Sequence, residues 1–173
     1  MDSLEINGKM HDIKFNYKFY DRVVQHFADD QDTDKNTKVD GFNLMIGQLI
    51  DKNPQAVVKA YRYACVGKSL PALSDVADAL DKEGIWDSKD PYADLYKQIK
   101  AVGFLAQAIN HFLTSTEQDY EISKIGLSVA KKFVKKDEDG KEVTDQVRAL
   151  ELEAESNKAQ AEWLKKRLEA LGK

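Results

Sequence analysis

The sequence predicts a mainly α protein, with an N-terminal β-hairpin, a compact multi-helix bundle and a long C-terminal amphipathic helix. Three observations carry this reading. Asn7-Gly8 separates two short runs of alternating apolar residues, and both turn positions take positive φ at little cost, so a two-residue hairpin forms there. Apolar residues then recur three and four apart from Phe19 to Leu113, between cap and break signals. From Thr144 onward there is no proline, and no glycine until Gly172, while Val147, Leu150, Ala154, Asn157, Ala161, Leu164, Leu168 and Leu171 hold a heptad seam.

With Asn7 and Gly8 as the turn, Ile6 faces Lys9 and Leu4 faces His11, which places Leu4, Ile6, His11, Ile13 and Phe15 on one side of the ribbon. An isolated hairpin is marginal in water, so that side needs a cover. The aromatic run with Phe19, Val23 and Phe27 at helical spacing is the expected one, in a helix ending near Ala28. Asp29 to Asp40 is polar and without apolar period, hence a loop. Its Asp30, Asp32 and Asp34 match the opening of a calcium loop. Lys35, however, stands where that loop turns on glycine, and Gly41 where it needs a bidentate glutamate, so the reading is a solvated loop.

Phe42, Met45, Ile46, Leu49 and Ile50 make the face of a short buried helix. Asn53-Pro54 starts the next, with Asn53 as N-cap and proline at the first helical position; Val57, Val58, Tyr61, Ala64 and Cys65 follow on one face, and Gly67 stops the run. Leu73-Ser74-Asp75 opens a further helix through Val76, Ala77 and Leu80 to Gly84, after which Ile85 and Trp86 serve as an apolar anchor. Asp90-Pro91 begins the longest apolar period, from Tyr92 to Leu113, expected as one spine helix. Ile122, Ile125, Val129 and Phe133 mark one more amphipathic helix, and Lys135 to Val143 is a charged, glycine-containing break. The organisation expected is therefore 1–134 as hairpin plus helical body, 135–143 as charged linker and 144–173 as C-terminal helix.

In that last helix a buried leucine contributes about 1.5–3 kcal/mol and an alanine much less, so Ala154, Asn157 and Ala161 weaken the middle of the seam. Leu152, Ala159 and Trp163 form a second strip. Amphipathicity alone is compatible with packing on its own domain, on a sister subunit or on a foreign partner.

The 173 residues favour one domain, and the net charge of −4 is mild and interspersed. No basic stripe points to nucleic acid and no polybasic run to a membrane surface. The N-terminus reads as neither signal peptide nor membrane span. The single cysteine, Cys65, rules out an internal disulfide, fits a reducing cytoplasm and reads as a buried, inert thiol within a helix. His11, His26 and His111 lie far apart without metal-ligand spacing, and no phosphate loop or nucleophile elbow occurs. No catalytic residue, cofactor or metal is predicted.

The order of INGKMHDIKFNYKFYDRVV, GFNLMIGQLIDKNPQAVVKAYRYAC, LSDVADALDKEG and PYADLYKQIKAVGFLAQAINHFL resembles the tail assembly chaperones of long-tailed bacteriophages of Gram-positive hosts, over about residues 4 to 113. The resemblance implies a non-enzymatic protein of the host bacterial cytoplasm that binds the tape measure protein, keeps it soluble, promotes tail tube polymerisation around it and is absent from the mature virion. It implies tail tube protein as a second partner, mainly through a longer product of a programmed frameshift; Leu171-Gly172-Lys173 is compatible with a slippery codon sequence. The expected partner surface is Val147, Leu150, Trp163, Leu164, Leu168 and Leu171, with Trp163 as anchor because aromatic residues dominate hot spots. The alternative is a helical structural adaptor or head-tail connector that forms homo-oligomers through its C-terminal helix.

Overall fold

The computed structural model describes residues 1–28, 40–133 and 141–173, of which 133 and 141–146 by backbone alone. Strands β1 (Ser3–Ile6) and β2 (Lys9–Asp12) pair antiparallel with Leu4 opposite His11 and Ile6 opposite Lys9. Asn7 and Gly8 take φ of 52° and 74°, the left-handed pair that a tight hairpin turn requires. Leu4, Ile6 and Ile13 are buried, while His11 and Phe15 are half-buried.

Seven helices follow among the described residues: α1 (Tyr17–His26), α2 (Gly41–Ile50), α3 (Pro54–Ala64), α4 (Leu73–Lys82), α5 (Pro91–Lys100), α6 (Gly103–Phe133) and α7 (Lys141–Leu171), with a 3-10 turn at Ile85–Asp87. They divide into two compact units, Met1–Ile109 with Leu171–Lys173, and Asn110–Ala170. The acidic loop considered for calcium falls, apart from Asp40, outside the described residues, as does the charged break up to Gly140.

Local signals set most helix starts in the first unit. The side chains of Asn16, Asp40, Asn53 and Asp90 each accept a hydrogen bond from a backbone N–H in the first turn of the helix they precede, satisfying donors that a helix start leaves orphaned. Asp90 also accepts from Lys52 Nζ at 2.8 Å, and this bond holds its carboxyl below the usual range. Gly84 closes α4 in the left-handed conformation, φ 68°.

The long-range arrangement departs from expectation in three places. The helix seated on β1 is α4, tied to the hairpin by Asn7 Nδ2 donating to Asp75 at 2.8 Å and by Lys82 opposite Glu5 at 3.6 Å. Helix α1 lies instead against α2 and α3, reaching the ribbon's continuation where Phe19 meets Phe15 edge-on at 5.1 Å. The expected spine from Tyr92 to Leu113 is two helices, α5 ending at Lys100 and α6 starting at Gly103. Ile99, Val102 and Leu105 continue the apolar spacing across the break, so periodicity alone did not reveal it. Finally, Ile122, Ile125 and Val129 belong to the continuation of α6 rather than to a separate helix.

The core of the first unit lies between α1, α2, α3 and α5 and holds Phe19, Phe27, Phe42, Tyr61, Tyr63 and Tyr96, all nearly inaccessible. Helices α1 and α2 approach so closely that a Cβ added at Gly41 would stand 2.2 Å from the Val23 carbonyl oxygen. Gly41→Ala therefore forces backbone apart and is expected to lower stability by about 3 kcal/mol, the upper range for overpacking. Gly47→Ala, in the same helix with open space around its Cβ position, is expected to raise stability by about 0.5–1 kcal/mol. Urea unfolding midpoints of the two variants check both signs.

Candidate functional site

The unit Asn110–Ala170 is a helical hairpin. Lys131 pairs with Glu151 at 2.6 Å and Lys165 with Glu117 at 3.6 Å, two heptads apart on both helices, so α6 and α7 run antiparallel in one register. On α7 the seam follows the predicted heptad: Ala154, Ala161, Leu164 and Leu168 are buried, and Val147, Leu150 and Asn157 half-buried. Leu171 is buried as well. Of the six residues expected to meet a partner, Trp163 alone is exposed, at 44 %, with Arg167 stacked over its ring at 5.7 Å. The second α7 strip is exposed throughout, at Leu152, Ala159 and Trp163.

The seam of α6 differs from its expected face. Leu113, Thr116, Tyr120, Ser123, Leu127 and Ala130 alternate three and four apart and are buried or half-buried, whereas Ile122, Ile125 and Val129 face water. The hydroxyls tolerate burial because they bond within the helix. Thr116 donates to the Phe112 carbonyl at 3.0 Å and Ser123 to that of Tyr120 at 2.8 Å, so neither requires a partner across the seam. Among the described residues no buried side-chain nitrogen or oxygen lacks a partner. A seam with alanines and an asparagine on α7 and two hydroxyls on α6 buries little apolar surface, and its cohesion rests on Leu113 and Leu127 of α6 and the leucines of α7. The heptad spacing of α6 was available as a signal, but its hydroxyls scored below the isoleucines on any apolar criterion.

In the first unit the exposed apolar side chains include Met10, Val66, Tyr17 and Phe104, the last two with ring centres 6.3 Å apart. A groove of about 300 Å³ lies between α3 and α4, lined by Pro54, Val58, Leu73 and Ala77 with Gln55, Lys59 and Ser74 at its edges. No group of three or more potential metal ligands assembles among the described residues. His11 is half-buried, and His26 and His111 are exposed in separate parts of the chain. Cys65 is buried, at the C-cap of α3 rather than within the helix, because Ile13 pairs with it as an isolated bridge.

Residues 3–115 match the family model described as phage tail assembly chaperone protein, TAC. The chain belongs to this family of tail assembly chaperones. No curated protein and no solved structure matches the chain. The match runs from the hairpin into the first turns of α6, so what identifies the chaperone is the first unit, and the greater part of the helical hairpin extends beyond the matched residues. No helix of the chaperone is long and apolar enough, among the described residues, to cross a membrane.

Three outcomes follow from this geometry. Burial pushes the Cys65 thiol from its ordinary 9.0 up to about 11, against the opposing influence of Arg22 and Arg62. A thiol titrating there is about one part in a thousand thiolate at pH 8, so a thiol reagent is expected to label the folded protein slowly and the urea-unfolded protein fast. Because the folded pKa is raised, the fold binds the proton more tightly. The thiol's contribution to stability is thus present below pH 9 and is lost as pH rises from 9 through 11, which urea titrations across that range check. In the seam, Asn157→Leu is expected to strengthen the hairpin by about 1 kcal/mol, read as slower hydrogen exchange along α7.

Proposed function

We propose that this chaperone binds the tape measure protein in the host bacterial cytoplasm, keeps that long apolar helical chain soluble, promotes polymerisation of the tail tube around it, and departs before the virion is complete. The observation that carries the reading is the family match over residues 3–115. The role is one of binding, without catalysis. Tail tube protein is engaged mainly through a longer, frameshifted product.

The contact surface we propose is on α7. Trp163 is reached first, since its ring is exposed and Arg167 holds its orientation. Val147, Leu150, Leu164, Leu168 and Leu171 follow when the partner's apolar helix displaces α6 from the seam. The small and polar middle of the seam, Ala154, Asn157 and Ala161, supports such an exchange, because little apolar burial is lost there on opening. A helix laid into an apolar strip is a recurring mode of peptide recognition, and moderate strength suits a contact that must later be released.

Co-expression of tape measure protein with the natural chain and with Trp163→Ala tests this. The natural chain is expected to keep the tape measure protein in the soluble fraction, and Trp163→Ala to weaken the complex by about 2 kcal/mol, roughly 30-fold in affinity. Detection of the chain in purified mature particles at stoichiometric amounts would overturn the chaperone reading in favour of an adaptor or connector.

A further inference from the structure

Helix α6 turns its stronger apolar face to water. Ile122, Ile125 and Val129 are 67 %, 61 % and 46 % exposed, while the seam toward α7 at the same levels is made by Tyr120, Ser123 and Leu127. Exposed apolar side chains scattered singly are ordinary; three in consecutive heptad positions on the back of a helix are a contact strip. The strip has its own seam, Gln118, Ile122, Ile125, Val129 and Lys132, spaced alternately four and three.

We infer that this strip is the contact face for a second copy of the chain, with the two α6 helices antiparallel about a twofold axis at Ile125. The apolar pattern matches itself in either direction, and the charges beside it select the antiparallel one. Across the axis Ile125 meets Ile125 of the second copy, Ile122 meets Val129, and Gln118 and Asp119 lie beside Lys132. Charge runs the same way along the helix: Glu117, Asp119 and Glu121 precede the strip, and Lys131 and Lys132 follow it. Antiparallel pairing sets the acidic end of one copy against the basic end of the other. Parallel pairing would set Lys132 on Lys132 within the seam, like charge on like. The ion pairs of this stretch occupy Glu117, Glu121, Lys124 and Lys131, and among the described residues Asp119 and Lys132 have no ion pair, so both remain for the second copy. Gly126 flanks the axis with no atom within 4 Å of its Cβ position, which gives the opposing helix room.

Three large apolar side chains per copy make a small, weak interface, with a dissociation constant of about 10–100 μM. The test needs no other phage protein and is therefore independent of the tape measure reading. Sedimentation equilibrium of the natural chain from about 5 to 500 μM is expected to show its mass rising from one chain to two. Ile125→Asp, at an exposed position where the fold tolerates it, is expected to stay a single chain throughout, with an unchanged circular dichroism spectrum. Oxidising an equal mixture of Ile122→Cys and Val129→Cys chains is expected to give the crossed disulfide dimer above either self-crosslinked one; Cys65, buried, is silent in the natural chain under the same treatment. Single-chain mass for the natural protein across the range would overturn the inference. So would a dimer that survives Ile125→Asp, or self-crosslinking in preference to crossed crosslinking, which would mark a different face or a parallel pair.

Discussion

The C-terminal end of α3 is the point on which the first unit depends. The last turn of a helix leaves its carbonyls without partners, and here they and the carbonyls just beyond lie half-buried, where leaving them unpaired costs about 1–3 kcal/mol each. Arg22 of α1 answers three of them, with Nη1 donating to Tyr63 and Cys65 at 3.0 and 2.7 Å and Nη2 to Gly67 at 2.9 Å. The chain after β2 answers another, Lys14 N–H donating to the Ala64 carbonyl at 2.9 Å, and Val66 N–H returns a bond to Asp12 at 2.8 Å. Hairpin, α1 and α3 are thereby fixed at one junction by polar groups whose alternative is desolvation without compensation. The guanidinium is suited to this because it presents several donors in one plane, which lysine does not.

With that junction set, the packing around it is constrained. Arg22 precedes Val23, whose carbonyl faces Gly41, so the residue that ties α1 to the end of α3 sits beside the backbone on which α2 rests. Phe27, at the other end of α1, is covered by Tyr63 with ring centres 6.5 Å apart and by Lys59 at 5.1 Å from its centroid. The end of α3 thus holds α1 at Arg22 through its carbonyls, and the side chains of α3 cover α1's C-cap, Phe27. A wedge inserted at Gly41 or a cation removed at Arg22 acts on the same three-helix contact from opposite sides.

What the sequence disclosed and what it withheld divide along the range of the interaction. The hairpin register, the cap at Asn53, the helix start at Asp90-Pro91 and the glycine close at Gly84 are decided within a few residues, and each was legible. The Arg22 clamp, the Gly41 approach and the placement of α4 on β1 join residues far apart in the chain, for which a single sequence carries no signal. The break before Gly103 was hidden for another reason: both helices face the same core, so the period passes through the interruption. At the candidate surface the heptad of α7 was legible, but the inner face of α6 was not, because burial of Thr116 and Ser123 rests on bonds to their own helix that hydrophobicity does not encode.

The arrangement of α6 follows from what its two faces must do. If its aim were the most stable isolated hairpin, Ile122, Ile125 and Val129 would meet α7 and the hydroxyls would meet water; the order is the reverse. A helix that places Thr116, Ser123 and Ala130 inside beside Leu113, Tyr120 and Leu127, with two isoleucines and a valine outside, leaves exposed apolar surface that its own fold does not bury. The self-association proposed for α6 uses the outer face of that helix, whereas the partner capture proposed for α7 uses Trp163 and the seam, so the two proposed contacts do not compete for the same residues. They remain linked through α6 itself. In the proposed scheme a second copy that holds α6 helical favours its return to the α7 seam after a partner leaves, and a weak dimer does so without locking the seam closed. Weakness in both proposed contacts is thus what the proposed role, holding an apolar chain and then releasing it, requires.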